Sequence, residues 1–189
     1  PGEANDVVVI GDLAYVADNQ AGLRIIDISN PDDPHEIGSF DTPGTALHVS
    51  IQENIAYIAD GQGGMHIVDI TDPENPEDIA TYQGQMLIND VLVRGGYAYL
   101  ADIIAGLRIL DISDPEHPEQ INTLNTPDVT QGLYLSDNHL YIADRRSGLQ
   151  IVDVTNPEEP EIIGSVDTPG EANSLEVSGH HAYVADKAG

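Results

Sequence analysis

The chain has 189 residues, 40% of them hydrophobic, which is enough apolar content for packed cores and too much for an unfolded chain. Its 33 acidic residues face 6 basic ones, a net charge of −27 with Lys187 the single lysine, so partners that need clustered Lys and Arg, nucleic acid above all, are excluded. Zero cysteine removes disulfide frameworks and thiolate metal sites, and no apolar run approaches the ~18–20 residues that direct membrane insertion of a helix needs.

The first 42 residues predict four strands. Asn5–Ile10 is rich in β-branched residues and ends at the tight-turn pair Gly11-Asp12. Leu13–Ala17 follows, and Asp18–Gly22 makes the next turn. Leu23–Ser29 is the third strand, after which Pro31 and Pro34 break the chain by denying donors to a ladder. Glu36–Asp41 is the fourth, and Thr42-Pro43-Gly44 turns into a second copy. The second strand is apolar on both faces, Ala14 and Val16 on one and Tyr15 and Ala17 on the other. Such a strand needs a layer on each side.

The same run, Tyr-(Val/Ile/Leu)-Ala-Asp, opens at Tyr15, Tyr57, Tyr99, Tyr141 and Tyr183, a period of 42 residues. Gly22, Gly64, Gly106 and Gly148 keep that register, as do the proline pairs from Pro31 and Pro34 to Pro157 and Pro160. Copies 1–42, 43–84, 85–126 and 127–168 are complete, and 169–189 is the first half of a fifth. Four short antiparallel strands per ~40–45 residues, stacked face to face, make a β-propeller blade. No window shows the apolar spacing of a helix, so a helical solenoid fails. The fold class is all-β: four-stranded antiparallel propeller blades in four and a half copies. Pro1 opens the chain without a methionine or a signal-like run, which fits an excised portion of a larger chain or assembly.

The segments Gly22–Pro31, Gly64–Pro73, Gly106–Pro115 and Gly148–Pro157 share the pattern Gly-(Leu/Met)-x-Ile-x-Asp-(Ile/Val)-(Ser/Thr)-x-Pro. This resembles the LVIVD repeat family over the whole chain. The resemblance implies a propeller from bacterial or archaeal surface or secreted proteins, and it supplies no shared catalytic residues.

Residues that recur in every copy read as fold requirements. Asp27, Asp69, Asp111 and Asp153 are expected to accept bonds from their own backbone or from Ser29, Thr71, Ser113 and Thr155. Asp18, Asp60, Asp102 and Asp144 are expected to cap the turn before the glycine. The loops between third and fourth strands are acidic (Asp32, Asp33 and Glu36 in the first copy) without an Asp-x-Asp-x-Asp-Gly pattern. They fit a diffuse cation atmosphere, with weakly bound Ca2+ at most, and no metal site or cofactor is expected. His180-His181 lies at a turn, where adjacent side chains point apart. No nucleophile, zinc or phosphate motif appears. Asp6, His48, Asp90 and Ser174, at one first-strand position near the axis, form the only enzyme-like constellation.

Departures from the repeat are not demanded by the fold. The loop between second and third strands carries Ile103 and Ile104 in the third copy, Arg145 and Arg146 in the fourth, and Lys187 in the fifth. The third copy also opens with Met86 and Leu87. Either one rim presents an exposed apolar and partly basic patch for a partner, opposite an acidic rim, or the isoleucines fold back against a neighbouring blade. The reading is a non-catalytic scaffold at the cell surface or outside the cell, assembling with copies of itself or with other surface proteins, quite compatibly as a fibre. The alternative is a ligand-binding propeller that grips a glycan or peptide on that rim; a propeller enzyme stands third.

Overall fold

The computed structural model describes residues 2–187. The first blade is β1 (Asp6–Ile10), β2 (Leu13–Ala17), β3 (Leu23–Asp27) and β4 (His35–Phe40). The second is β5 (His48–Gln52), β6 (Ile55–Ala59), β7 (Met65–Asp69) and β8 (Glu77–Tyr82). The third is β9 (Ile88–Arg94), β10 (Tyr97–Asp102), β11 (Gly106–Asp111) and β12 (Glu119–Leu124). The fourth is β13 (Gly132–Ser136), β14 (His139–Ala143), β15 (Leu149–Asp153) and β16 (Glu161–Val166). A two-stranded half blade, β17 (Glu171–Ser178) and β18 (His181–Lys187), follows. Each complete sheet is an antiparallel meander in chain order.

The expected strands are observed, with the third ending early, at Asp27. There the Asp27 carboxylate accepts the Ser29 amide at 2.8 Å, while the Ile28 amide bonds back to the Asp12 carbonyl. Both bonds draw the backbone out of the ladder. In every complete blade the pairing of third and fourth strands shifts by one residue at the same place. The extra residue on the fourth strand is Ile37, Ile79, Ile121 or Ile163, a repeated β-bulge.

First strands of successive blades touch one another, so they line the inside of the arc. The cores lie between blades. Tyr15, Ala17, Leu23 and Ile25 of the first blade pack on Val49, Ala56, Ile58, Val68 and Ile70 of the second. Tyr57, Ala59, Met65 and Ile67 meet Val91, Ala98, Leu100, Leu110 and Ile112, and Tyr99, Ala101, Leu107 and Ile109 meet Leu133, Leu140, Ile142, Val152 and Val154. The fourth blade offers Ala143 and Leu149 to Ala172 and Leu175 of the half blade. Each fully buried Val, Leu or Ile contributes ~1.5–3 kcal/mol, so every blade depends on its neighbours.

Candidate functional site

Three first strands bring Asp6, His48 and Asp90 together at the axis. His48 Nε2 lies 3.3 Å from Asp6 Oδ2, and His48 Nδ1 lies 2.9 Å from Asp90 Oδ1. Neither contact has hydrogen-bond geometry, and both act as charge pairs. The carboxylates also reach forward to the next blade: Asp6 accepts the Val49 amide at 3.0 Å, and Asp90 accepts the Leu133 amide at 2.7 Å. Burial works against a charged His48, but Asp90, and then Asp6, outweigh it and raise its pKa above the usual imidazole value. Ser174 lines the same axial cavity of about 490 Å³, together with Asn5, Asn89 and Gln131. The amides there are also used as ties, Asn5 to the Ala46 carbonyl at 2.9 Å and Asn89 to the Gln131 carbonyl at 2.6 Å.

The Asp18 series does something other than the expected capping. Asp60, fully buried, accepts the Thr42 hydroxyl at 2.5 Å and the Gly44 amide at 2.7 Å, gripping the loop that enters its own blade. Asp18 takes the Gly2 amide, Asp102 the Leu87 amide, Asp144 the Asp128 amide and Asp186 the Gly170 amide. The first turn itself is closed by backbone, Ala21 N–H to the Asp18 carbonyl, and among the described residues Asp102 adds a local bond from the Ile104 amide. The signal for this clamp was the Thr-Pro pair at Thr42, Thr126 and Thr168, followed by Gly44, Asp128 and Gly170, that stands 16–18 residues upstream of Asp60, Asp144 and Asp186. Burial, ahead of the opposing bonds from Asp128 and Thr126, raises the Asp144 pKa. The Asp27 series takes its amides two residues on, and Asp27, Asp69, Asp111 and Asp153 have pKa values lowered by the hydroxyls and amides of Ser29, Thr71, Ser113 and Thr155. Among the described residues no cluster of three His, Asp or Glu has cation-ligating geometry.

The rim departs from expectation. Met86 is buried in the core between second and third blades, and Leu87 and Ile103 are half-buried. Met86 is a core side chain because it stands beside Ile88 on the entry to a strand packed against Tyr57 and Met65. Ile104 alone stands out, 65% exposed. The cause is backbone conformation. Asn19, Gly61 and Arg145 adopt positive φ and bridge to the next blade at Ala46, Ile88 and Ala172. β-branched Ile103 disfavours that region, and its amide bonds instead to Leu87 within its own blade. Arg145 and Arg146 each hold Nε 3.3 Å from a Glu171 oxygen, the Arg146 side chain being 77% exposed, and Arg146, then Arg145, lower the Glu171 pKa. Lys187 is exposed and stands opposite Glu171 in the β17–β18 register.

Among the described residues, the outer faces of the first blade and of the half blade are exposed. Val7 and Val9 are 54% and 56% exposed, whereas Val49 and Val91, at the position of Val7, are completely buried. At the other end Tyr183 is 63% exposed, although Tyr15, Tyr57 and Tyr99 are buried.

With four meander blades whose first strands line an axis, the class is a β-propeller-type repeat array. The LVIVD repeat model matches residues 1–42, 43–83, 88–126, 129–168 and 169–189, and the chain belongs to that repeat family. Among solved structures it is similar to a functionally unknown protein from Desulfotomaculum acetoxidans DSM 771, at 14% identity and a TM-score of 0.82, covering 98% of this chain and 63% of that one. It is also similar to the computationally designed Ika8 protein, at 10% identity and a TM-score of 0.73, covering 97% and 55%. The RRP9 WD40 repeats match at 13% identity and a TM-score of 0.73, covering 92% and 54%. These likenesses show the fold, and this chain spans little more than half the length of those three. No curated protein matches the chain.

Proposed function

We propose that the chain is a non-catalytic structural scaffold at the cell surface or outside the cell, whose end blades assemble with further blades. The observation that carries this reading is the contrast between exposed Val7 and Val9 and buried Val49 and Val91. A sheet face whose equivalents are covered in every other blade is one that a protein covers or uses. Face-to-face addition is a heterologous contact, giving rings where the rotation closes and filaments where it does not. The axial cluster supports a scaffold reading through its structural ties: Asp6 and Asp90, which flank His48, accept the Val49 and Leu133 amides of the following blades. The acidic surface suits a salty exterior, with Ca2+ held only as a diffuse atmosphere. Sedimentation velocity tests the reading. The expected result is concentration-dependent association that V7D/V9D abolishes; a monomer at high concentration overturns it.

A second reading has its own observation. A cavity of about 800 Å³ on the rim is lined by Gln62, Gln83 and the backbone of Gly44, Gly63 and Gly84, groups suited to the hydroxyls of a glycan. Glycan titration with saturable binding, lost in Q62A/Q83A, would select it.

A further inference from the structure

We infer that the cleft between the third and fourth blades, on the acidic rim, binds a sugar unit that carries one carboxylate, a hexuronate. Both blades are complete, and the cleft lies on the opposite rim from the cavity of Gln62 and Gln83. A cavity of about 400 Å³ opens there, between the turn that joins β9 to β10 and the loop that follows β15. Arg94 and Tyr97 are direct partners in the β9–β10 pairing, so their side chains share one face of the third blade, and Tyr99, two residues on, shares it too. That face meets Leu135 and Val154 of the fourth blade. The Arg94 guanidinium donates across the interface to the Asp137 carbonyl. Burial, then Tyr97, raises the Tyr99 pKa while Arg94 opposes them, so the three polar ends lie within electrostatic reach of one another.

Arg24, Arg108, Arg145 and Arg146 each pair with a carboxylate. Among the described residues Arg94 pairs with none, in a chain of 33 acidic residues. Three departures from the repeat meet at this cleft. Arg94 stands where the other complete copies have Ile10, Gln52 and Ser136, and Tyr97 where they have Leu13, Ile55 and His139. Asn156, on the facing loop, stands where the second and third copies have Asp72 and Asp114. The fold does not require the arginine, because Gln52 makes the equivalent tie, to the Gly95 carbonyl at 2.7 Å. A positive charge and a ring are thus added where a negative charge is removed. The guanidinium donors that Asp137 leaves unused suit a carboxylate, which arginine grips through two parallel bonds. The half-buried Tyr97 ring suits the apolar C–H face of a pyranose, and the exposed Asn138 amide at the lip suits its hydroxyls. Exposed Asp137 and Glu158 nearby repel a polyanion, so the ligand carries a single charge. An extended peptide finds no free edge beside the tyrosines, since β10 is paired on both sides.

The test is calorimetric titration of the 189-residue chain at physiological salt with a disaccharide ending in glucuronic acid, and with the same disaccharide ending in glucose. Saturable 1:1 binding of the first is expected, with the second ~tenfold or more weaker for want of the charged bond. Arg94→Gln and Tyr97→Ile copy Gln52 and Ile55 of the second blade, so both variants are expected to keep the wild-type circular dichroism spectrum. Arg94→Gln is expected to bind the two sugars alike, and Tyr97→Ile to weaken both. Absence of saturable binding at millimolar sugar overturns the proposal, as does an undiminished preference for the uronate in Arg94→Gln. Displacement of the uronate by a short peptide through its C-terminal carboxylate, at lower concentration than the sugar itself, would assign the cleft to peptides and overturn it too.

Discussion

His48 and the aspartates around it set how stability responds to pH. The His48 pKa is raised above 6.5, so its contribution is full below 6.5 and fades as pH rises through the folded value. Exposed His117, raised by Asp114, has the same sign. Asp27, Asp69, Asp111 and Asp153 lie below 3.8, so their contribution is full above 3.8 and is lost as pH falls through their folded values. Asp144, raised by burial, works against them: it favours the fold below 3.8 and loses that benefit as pH rises through its folded value. Urea midpoints are therefore expected to peak on the mildly acidic side, between 3.8 and 6.5, and H48Q is expected to flatten the limb above 6.5. An unchanged limb in H48Q rejects the axial charge chain. Asp60→Ala removes a buried acceptor from both the Thr42 hydroxyl and the Gly44 amide. At ~1–3 kcal/mol for each orphaned group the expected loss is about 3 kcal/mol by urea unfolding.

At the scale of the strand and its turn, the invariant glycine is set by geometry. Gly64 sits at φ +88°, and an added Cβ would lie 2.2 Å from the Tyr82 carbonyl oxygen. The substitution Gly64→Ala combines a left-handed backbone with a collision against a strand that cannot move, at an expected cost of about 2–4 kcal/mol in thermal or urea unfolding. The opposite lesson comes from Ile103, whose departure from positive φ removes a blade-to-blade bridge and leaves Ile104 exposed. Changing Ile103-Ile104 to Asn-Gln, as the first copy has it, is expected to raise the thermal midpoint, read by circular dichroism. A fall would show that the altered turn is the better one in its place.

Across the whole molecule, charge and open ends compete. A net charge of −27 opposes compaction at low salt, and screening shortens its range to ~8 Å at physiological ionic strength. Added NaCl is expected to raise the melting temperature. CaCl2 at matched ionic strength is expected to do no more than NaCl, and an excess effect of calcium would reveal a defined site. Salt is also expected to promote association through the Val7 and Val9 face, since it removes repulsion between acidic copies while strengthening apolar burial.

The period, the four strands of each copy, the turn glycines and the local Asp27 bonds were all legible in the sequence, because each depends on residues within one 42-residue copy. Strict recurrence exposed them without any partner in view. Three features required the folded array. Asp60 reaches a loop 16 to 18 residues away, so its role as a clamp rather than a cap depends on where that loop comes to lie. Met86 and Ile104 look equally apolar in sequence, yet one enters a core between blades and the other faces solvent, a choice made by backbone φ and by the adjoining sheet. The shared first-strand position of Asp6, His48 and Asp90 near the axis was legible from the period, but the pairing of His48 Nε2 with Asp6 and Nδ1 with Asp90 was decided by how the blades stack in register. Local chemistry repeats with the sequence; contacts between copies are fixed by how one sheet is laid on the next.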